Sequence, residues 1–202
     1  GSTNLVGQAH GEVSLFDLLK ESMRQRPDYI IVGEIRGQEA FVLFQAMASG
    51  HPSYATMHAE SLETLINRLT TPPISLSLSL VEILDAVCIM IPARVHDKEL
   101  RKLRQVTEIV STAGGNVVTN TPFIWEPSED KFKFKTSSKI FEKIMKRTGM
   151  TWPQMLKEFK RRTELLMAMY RAKQFELAEV QDVIHEYYKA PDAVLKRYGI
   201  KI

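Results

Sequence analysis

The first residues able to carry chemistry form a short charged segment, Gly-Glu-Ile-Arg-Gly, at positions 33–37. It follows an apolar run at residues 29–32 that has the composition of a β-strand. Ligands of a parallel sheet bind beyond the carboxyl ends of its strands, which is where we expect Glu34 and Arg36. A carboxylate there can hold Mg²⁺ through its water shell or polarise an attacking water, and a guanidinium can neutralise phosphoryl charge. The alternative is a plain salt bridge in a loop.

A histidine follows the next predicted strand. Residues 53–57 are expected to form that strand, which would deliver His58 to the same sheet edge as Glu34. A neutral imidazole can orient water or contact a terminal phosphate, and a charged one can stabilise a transition state. The alternative is a histidine that makes a structural hydrogen bond. His51 is seven residues from His58 with no third ligand at metal-site spacing, so the sequence does not favour a zinc site.

Alternating helices and strands are predicted to position these residues. Ser14 and Asp17 form a capping signal for a helix that must end before Pro27. The run at 29–32 is rich in β-branched residues without polar alternation, which predicts a strand buried on both faces of a parallel sheet. The later elements expected are a helix at 38–49, a strand at 53–57, a helix at 62–69 and a strand at 86–91. This alternation predicts an α/β fold.

The pattern changes after Ala93. Three strands separated by Gly-rich and Pro-rich turns are predicted at 102–111, 117–125 and 131–135, which indicates a small antiparallel meander. From Ser138 onward the apolar spacing is helical, which predicts a C-terminal helical bundle. We therefore predict three parts: an α/β core over 1–92, a β meander over 93–137 and a helical subdomain over 138–202.

The helical part carries apolar residues that could either pack or bind. Seven of them recur roughly at helical spacing: Met155, Leu156, Phe159, Leu165, Leu166, Met169 and Tyr170. Core packing is the favoured interpretation. A partner-binding groove would instead show as a contiguous exposed apolar patch.

Composition narrows the class of protein. The chain has 202 residues, of which 44% are hydrophobic and 25% charged, as in folded proteins rather than disordered ones. The single cysteine, Cys88, excludes an intramolecular disulfide and a Cys-based zinc site, and it fits a reducing, intracellular compartment. No apolar run approaches the ~20 residues that a membrane-spanning helix needs, so we expect any membrane role to be peripheral.

Charge is distributed unevenly along the chain. Residues 1–92 hold 5 Lys/Arg and 10 Asp/Glu, whereas residues 139–202 hold 14 and 8. The basic residues of the second segment are scattered along helical patterns rather than run together, so nucleic acid is not a favoured partner. Nucleic-acid binding would predict salt-dependent retention of DNA.

Two segments carry a resemblance to a known family. Residues 23–37 resemble the atypical Walker B segment of the type II/type IV secretion ATPases, the superfamily that drives secretion pseudopili, type IV pili and archaeal flagella. Residues 50–60 resemble the His box of that family. Asn-Arg-Leu at 67–69 and Pro-Pro-Ile at 72–74 follow in the family's order. The similarity covers residues 12 to about 92, and the finer features look most like archaeal members.

The resemblance implies a P-loop, RecA-like ATPase, usually hexameric, that binds Mg·ATP between subunits or lobes. It implies a cytoplasmic motor at the inner face of the cell membrane, working on the membrane-bound platform protein of a secretion or filament machine. It places the catalytic roles on Glu34 and His58, with Glu34 also holding Mg²⁺ indirectly through water. The residues it assigns to nucleotide or phosphate binding are Gly33, Arg36, Thr56 and Arg68. Arg24 and Arg26 also stand where the family has arginines, and which arginine meets phosphate is left open.

One departure from the family pattern concerns the phosphate-binding loop. The sequence contains no Gly-x-x-x-x-Gly-Lys-Ser/Thr motif and no Gly-Lys pair. Such a loop cradles phosphates with backbone N–H groups, a helix N-terminus and a lysine. We therefore expect this chain to be the C-terminal part of a longer ATPase and to be inactive alone. The alternative is a non-catalytic interaction module whose helical part docks on the membrane platform.

Overall fold

The computed structural model describes residues 13–95, 98–135 and 137–201. It is an α/β protein with a small parallel sheet, an antiparallel sheet and helices, which confirms the predicted α/β class. The chain forms two compact units that divide between Lys139 and Ile140. The division into 1–92, 93–137 and 138–202 stays a prediction.

The first unit contains both sheets. Its helices are α1 (Leu15–Ser22), α2 (Glu39–Ala48), α3 (Leu62–Thr70) and α4 (Leu78–Val81). Its strands are β1 (Ile30–Val32), β2 (Ser53–Ala55), β3 (Ala86–Val95), β4 (Lys98–Ser111), β5 (Val118–Glu126) and β6 (Lys131–Phe134). Helix α1 begins as predicted: the Asp17 N–H donates to Ser14 Oγ at 3.2 Å, and the Ser14 N–H donates to Asp17 Oδ2 at 3.3 Å.

Strands β1 and β2 pair in parallel, with Ile30 opposite Ser53. Ile30 and Val32 join a buried cluster to which α2 contributes most, because Leu43, Phe44 and their neighbours turn an apolar face to the sheet. The opposite face differs from expectation, since Ile31 is 76% exposed and Tyr54 is 62% exposed. The prediction that the strand at 29–32 is buried on both faces is therefore wrong within the described residues: the helices of this unit cover one face.

The antiparallel sheet has the strand order β3-β4-β5-β6. Its three predicted strands are confirmed as β4, β5 and β6. The strand predicted at 86–91 is present as β3, but it pairs with β4 in this sheet, with Ala86 opposite Glu108, and not with β1 or β2. Trp125 is buried and donates from Nε1 to Asp130 Oδ1 at 2.8 Å, as expected of a packing residue.

The second unit is helical, as its apolar spacing predicted. It holds α5, which begins at the unit boundary (Lys139–Thr148), α6 (Trp152–Arg171), α7 (Leu177–Lys189) and α8 (Pro191–Arg197). Leu165 and Met169 of α6 are buried with Val183 and Tyr187 of α7 and with Val194 and Leu195 of α8. Of the predicted apolar series, Met155, Leu165 and Met169 are buried, whereas Leu166 and Tyr170 are 57% and 66% exposed. The packing interpretation therefore holds for only part of the series.

Across the described ranges, every helix is too short or too polar to cross a lipid bilayer.

Candidate functional site

The ends of β1 and β2 are tied together by hydrogen bonds that extend beyond the strands. The Ile35 N–H donates to the Thr56 carbonyl at 3.0 Å, and the Thr56 hydroxyl donates to the Gly33 carbonyl. These contacts hold the two segments that follow the strands side by side. The predicted shared sheet edge is therefore present, and it brings Glu34 and His58 together.

The Glu34 carboxylate lies between two cationic or potentially cationic groups. Its Oε2 accepts a hydrogen bond from Arg36 Nη2 at 2.5 Å, and its Oε1 lies 3.3 Å from His58 Nε2. The Glu34 side chain is 27% exposed, whereas the side chains of Arg36 and His58 are 74% and 81% exposed. A partly buried acid thus faces two solvent-exposed partners.

The two oxygens of Glu34 have different surroundings. Oε1 is inaccessible to solvent and has no hydrogen-bond donor among the described residues, although His58 lies within ion-pair distance. A buried carboxylate oxygen without a donor is unfavourable by ~1–3 kcal/mol or more, so such an atom calls for a partner that the protein itself does not supply. A water or ligand hydroxyl can donate to Oε1 only when a neighbouring side chain, such as the 81% exposed His58, moves aside.

The hydrogen bond from Arg36 lowers the pKa of Glu34 below the usual 4.5. Partial burial opposes this change, and the positive charge of Arg36 adds to it. A lowered carboxyl pKa means that the pair stabilises the fold above the ordinary carboxyl pKa and that this contribution is lost as the pH falls through the lowered value. At neutral pH, Glu34 is a charged hydrogen-bond acceptor.

Replacing Arg36 with glutamine is expected to raise the pKa of Glu34 toward its ordinary value, because the charged donor at 2.5 Å is lost. A carboxyl ¹³C NMR titration of the whole chain measures the pKa of Glu34. The matched control is Arg68→Gln, which removes the same charge from exposed helix α3 and should leave Glu34 unchanged. An unchanged Glu34 pKa in Arg36→Gln would contradict the assigned cause.

Glu39 is a residue of the site that was not predicted from the sequence. Its Oε1 accepts hydrogen bonds from the backbone N–H groups of Arg36 and Gly37, at 2.5 and 2.8 Å. Burial raises the pKa of Glu39, but the backbone hydrogen bonds lower it further, so the pKa lies below 4.5. Glu39 positions the loop that carries Arg36. The sequence contained a signal for this contact, because Glu39 follows Arg36 by three residues and Gly37 by two. An acid in the first turn of a helix is well placed to accept hydrogen bonds from the backbone just before that helix.

The other predicted residues are placed less directly. Arg68 lies on α3 and has no hydrogen bond or ion pair to Glu34 or His58 within the described part of the chain. Arg24 pairs with Glu21 at 3.4 Å. His51 lies three residues beyond the end of α2, with Nδ1 3.2 Å from Ser49 Oγ, and does not join the site. Gly33 and Thr56 belong to the site, since the Thr56 hydroxyl donates to the Gly33 carbonyl.

Comparison with protein families gives a match over most of the chain. The model of a family described as type II/IV secretion system protein matches residues 2–163, which is most of the chain. The match includes the segments that carry Glu34 and His58.

Individual relatives include two archaeal proteins and a bacterial type IV secretion system protein. The uncharacterized protein MJ1287 of Methanocaldococcus jannaschii is 35% identical over 80% of this chain and 61% of its own length. A second protein of that archaeon, the uncharacterized protein MJ0900, is 36% identical over 91% of this chain and 34% of its own. The type IV secretion system protein PtlH of Bordetella pertussis is 44% identical over 29% of this chain and 17% of its own. The chain thus spans less than two thirds of each of these relatives.

Proposed function

Because the chain belongs to the type II/IV secretion system protein family, we propose that it supplies the Walker B and His-box part of a secretion or pilus-assembly motor ATPase. The observation that carries this proposal is the Oε1 atom of Glu34. It is a buried carboxylate oxygen at a strand end, without a hydrogen-bond donor and within 3.3 Å of an exposed histidine. That arrangement suits an acid that receives a hydrogen bond from an attacking water.

The fold proposed for this part is RecA-like. Parallel strands followed by helices, with charged residues at the strand ends, support it. The exposed Ile31 and Tyr54 leave one face of the parallel sheet open to further protein, such as the segment that carries a phosphate-binding loop. The relatives contain residues beyond those that align, so the ATPase activity of a whole protein is itself part of the proposal.

In the proposed reaction, Glu34 orients the attacking water through Oε1. Its lowered pKa makes it a weak proton acceptor at neutral pH while Arg36 holds Oε2. We therefore assign Glu34 the roles of positioning the attacking water and stabilising charge for as long as Arg36 contacts its carboxylate. A shift of Arg36 toward phosphate would end this contact. The 74% exposed Arg36 and the 81% exposed His58 can both reach a terminal phosphate and stabilise its charge.

Mg²⁺ is the metal that this chemistry requires, and the site is suited to hold it through water. Among the described residues, no group of three His, Cys, Asp or Glu side chains could bind a metal directly. One carboxylate with a free oxygen fits Mg²⁺, because this ion keeps several of its waters and binds protein through one or two carboxylates plus phosphate. The ion would supply charge neutralisation for ATP, and Glu34 would contact its water shell.

Four residues remain proposed for nucleotide or phosphate contact. Arg36 is the best placed, since it adjoins Glu34 directly. Thr56 donates its hydroxyl hydrogen to the Gly33 carbonyl, so these two residues act by holding the strand ends in register. Arg68 would contact phosphate from a neighbouring subunit or after a rearrangement.

The wider assembly is also a proposal. We assign this chain to a hexameric motor in the cytoplasm that associates with the inner face of the membrane and acts on the platform protein of the machine. The printed name of PtlH supports a link to type IV secretion.

The direct test combines this chain with a separately expressed Walker A polypeptide of the same family. Mg²⁺-dependent ATP hydrolysis that needs both polypeptides supports the proposal. Absence of hydrolysis with every Walker A partner, under conditions where the two polypeptides bind each other, overturns it.

Replacing His58 with asparagine is expected to lower this hydrolysis roughly 10- to 100-fold, because a hydrogen bond to a charged group is worth ~1.5–3 kcal/mol. The matched control is His51→Asn, since His51 contacts Ser49 outside the site. Equal loss in both variants would contradict a specific role for His58.

A non-catalytic interaction module is the second candidate. The observation in its favour is a set of exposed apolar side chains on α6 and α7: Leu166, Tyr170, Leu177 and Tyr188. This candidate function predicts that the chain binds the platform protein without ATP and that Tyr170→Glu abolishes this binding. It also predicts no ATP hydrolysis when the chain is combined with any Walker A polypeptide.

A further inference from the structure

A short loop, residues 36–38, connects the segment after β1 to helix α2 between two fixed points. On one side Ile35 is 5% exposed, and its N–H donates to the Thr56 carbonyl at 3.0 Å. On the other side Ala40, in the first turn of α2, is 0% exposed. Between these anchors the path of the chain depends on contacts made to the loop itself.

Glu39, the first residue of α2, makes such contacts. Its Oε1 accepts hydrogen bonds from the Arg36 N–H at 2.5 Å and from the Gly37 N–H at 2.8 Å. Hydrogen bonds to an ionised carboxylate are roughly twice as strong as those between neutral groups. One side chain therefore fixes two consecutive peptide groups of the loop.

Gly37 leaves room for this carboxylate. A Cβ atom at position 37 would lie 3.1 Å from Glu39 Oε2, which is closer than nearly all Cβ contacts in proteins. The φ of Gly37 lies outside the left-handed region, so the backbone itself does not require glycine here. The close approach of the Glu39 carboxylate explains the glycine.

The fixed backbone carries the guanidinium that meets Glu34. Arg36 Nη2 donates to Glu34 Oε2 at 2.5 Å, although the Arg36 side chain is 74% exposed. A long exposed side chain loses considerable rotamer entropy when it holds one contact, so a fixed backbone favours that contact. We propose that Glu39 is a positioning residue, which fixes the backbone of Arg36 so that its guanidinium meets Glu34.

This role rests on the proposed function, since it concerns the guanidinium that we assign to phosphate. The simpler role for Glu39 is stabilisation of the N-terminus of α2 by its charge. The two roles differ in their effect on the pKa of Glu34. Removing a negative charge near a carboxyl group by itself leaves its pKa unchanged or lowers it. Loss of positioning raises the pKa of Glu34, because Arg36 is what lowers it.

The test compares Glu39→Ala with the wild-type chain by NMR. Alanine removes the carboxylate and keeps a high helix propensity. A carboxyl ¹³C titration should give a higher pKa for Glu34 than in the wild type. The amide proton signals of Arg36 and Gly37 should move with the titration of Glu39 in the wild type, and this movement should disappear in the variant.

Glu39→Gln keeps one acceptor oxygen without the charge, so it should raise the pKa of Glu34 by less than Glu39→Ala does. It also keeps the test valid if Glu39→Ala fails to fold. The matched control is Glu63→Ala, which makes the same change in the first turn of α3 and should leave the pKa of Glu34 unchanged.

A double variant tests whether Glu39 acts through Arg36. In Arg36→Gln/Glu39→Ala the pKa of Glu34 should be no higher than in Arg36→Gln alone, because the contact that Glu39 positions is already lost. A further rise in the double variant overturns the proposal. An unchanged or lowered pKa of Glu34 in Glu39→Ala, or in Glu39→Gln if the first variant does not fold, also overturns it.

These NMR measurements need neither ATP nor a Walker A polypeptide. Absence of hydrolysis in every reconstitution would overturn the proposed function, whereas an unchanged pKa of Glu34 would overturn the positioning role alone. In a reconstituted motor that hydrolyses ATP, Glu39→Ala should lower the rate about tenfold or more, since a misplacement of ~1 Å can cost ~10²-fold. A rate equal to that of the wild type would contradict the positioning role.

Discussion

Replacing Glu34 with glutamine is expected to lower Mg²⁺-dependent ATP hydrolysis by the reconstituted motor about 100-fold or more. Loss of a positioned acid typically reduces a rate by ~10²–10⁴. A glutamine amide has one oxygen, so if that oxygen keeps the hydrogen bond from Arg36, an NH₂ group that cannot accept a hydrogen bond takes the place of Oε1. ATP should bind no more weakly, because a negative charge near the phosphates has been removed.

The measurement pairs steady-state hydrolysis with equilibrium binding of a fluorescent ATP analogue. Glu63→Gln is the matched control, since Glu63 is an exposed acid in the first turn of α3. Glu63→Gln should hydrolyse ATP as wild type. If Glu34→Gln keeps more than a third of the activity, the role assigned to Oε1 is wrong.

Replacing Glu108 with alanine is expected to lower the free energy of unfolding by about 3 kcal/mol or more. Glu108 lies on β4, is 1% exposed, and accepts hydrogen bonds from Ser138 Oγ at 2.6 Å, from the Lys139 N–H at 2.7 Å and from Asn120 Nδ2 at 3.1 Å. The substitution leaves the buried Ser138 hydroxyl and the partly buried Lys139 N–H without this acceptor, whereas Asn120 Nδ2 still donates to the Ser137 carbonyl at 3.1 Å. It also removes a negative charge from the N-terminus of α5, where such a charge is favourable.

Urea unfolding followed by circular dichroism measures this change. Glu129→Ala is the control, because Glu129 is 48% exposed and its ion pairs with Lys131 and Lys133 lie at the surface, where such pairs are worth ~0–1 kcal/mol. Glu108→Gln should fall between the two variants, since the amide keeps one acceptor. A loss below 1 kcal/mol in Glu108→Ala would show that the buried carboxylate is not needed for stability.

Local sequence rules accounted for the elements that depend on neighbours along the chain. Ser14 and Asp17 form the predicted capping box because their contacts span three residues. The strand ends were also predictable. A short apolar run followed by charge predicted that Glu34 comes directly after a strand, and the same holds for His58 after β2.

Elements that depend on distant partners were not predictable in this way. The apolar run at 29–32 could not reveal that Ile31 faces solvent, because burial of its outer face depends on segments elsewhere in the protein. Likewise, β3 carries the composition of a buried strand but pairs with β4, and strand composition does not specify the partner.

The amino-acid sequence by itself determined the α/β class, the capped start of α1 and the positions of Glu34 and His58 directly after strands, since these follow from periodicity, caps and chain order. Only the tertiary structure decided which atoms meet. It gave the two oxygens of Glu34 different surroundings, and it placed Glu39 within hydrogen-bond distance of the Arg36 N–H. It also buried Glu108 beside Ser138. Hydrogen bonds and desolvation act over a few ångströms in space, and thirty residues of chain separate Glu108 from Ser138, so no local pattern encodes that contact.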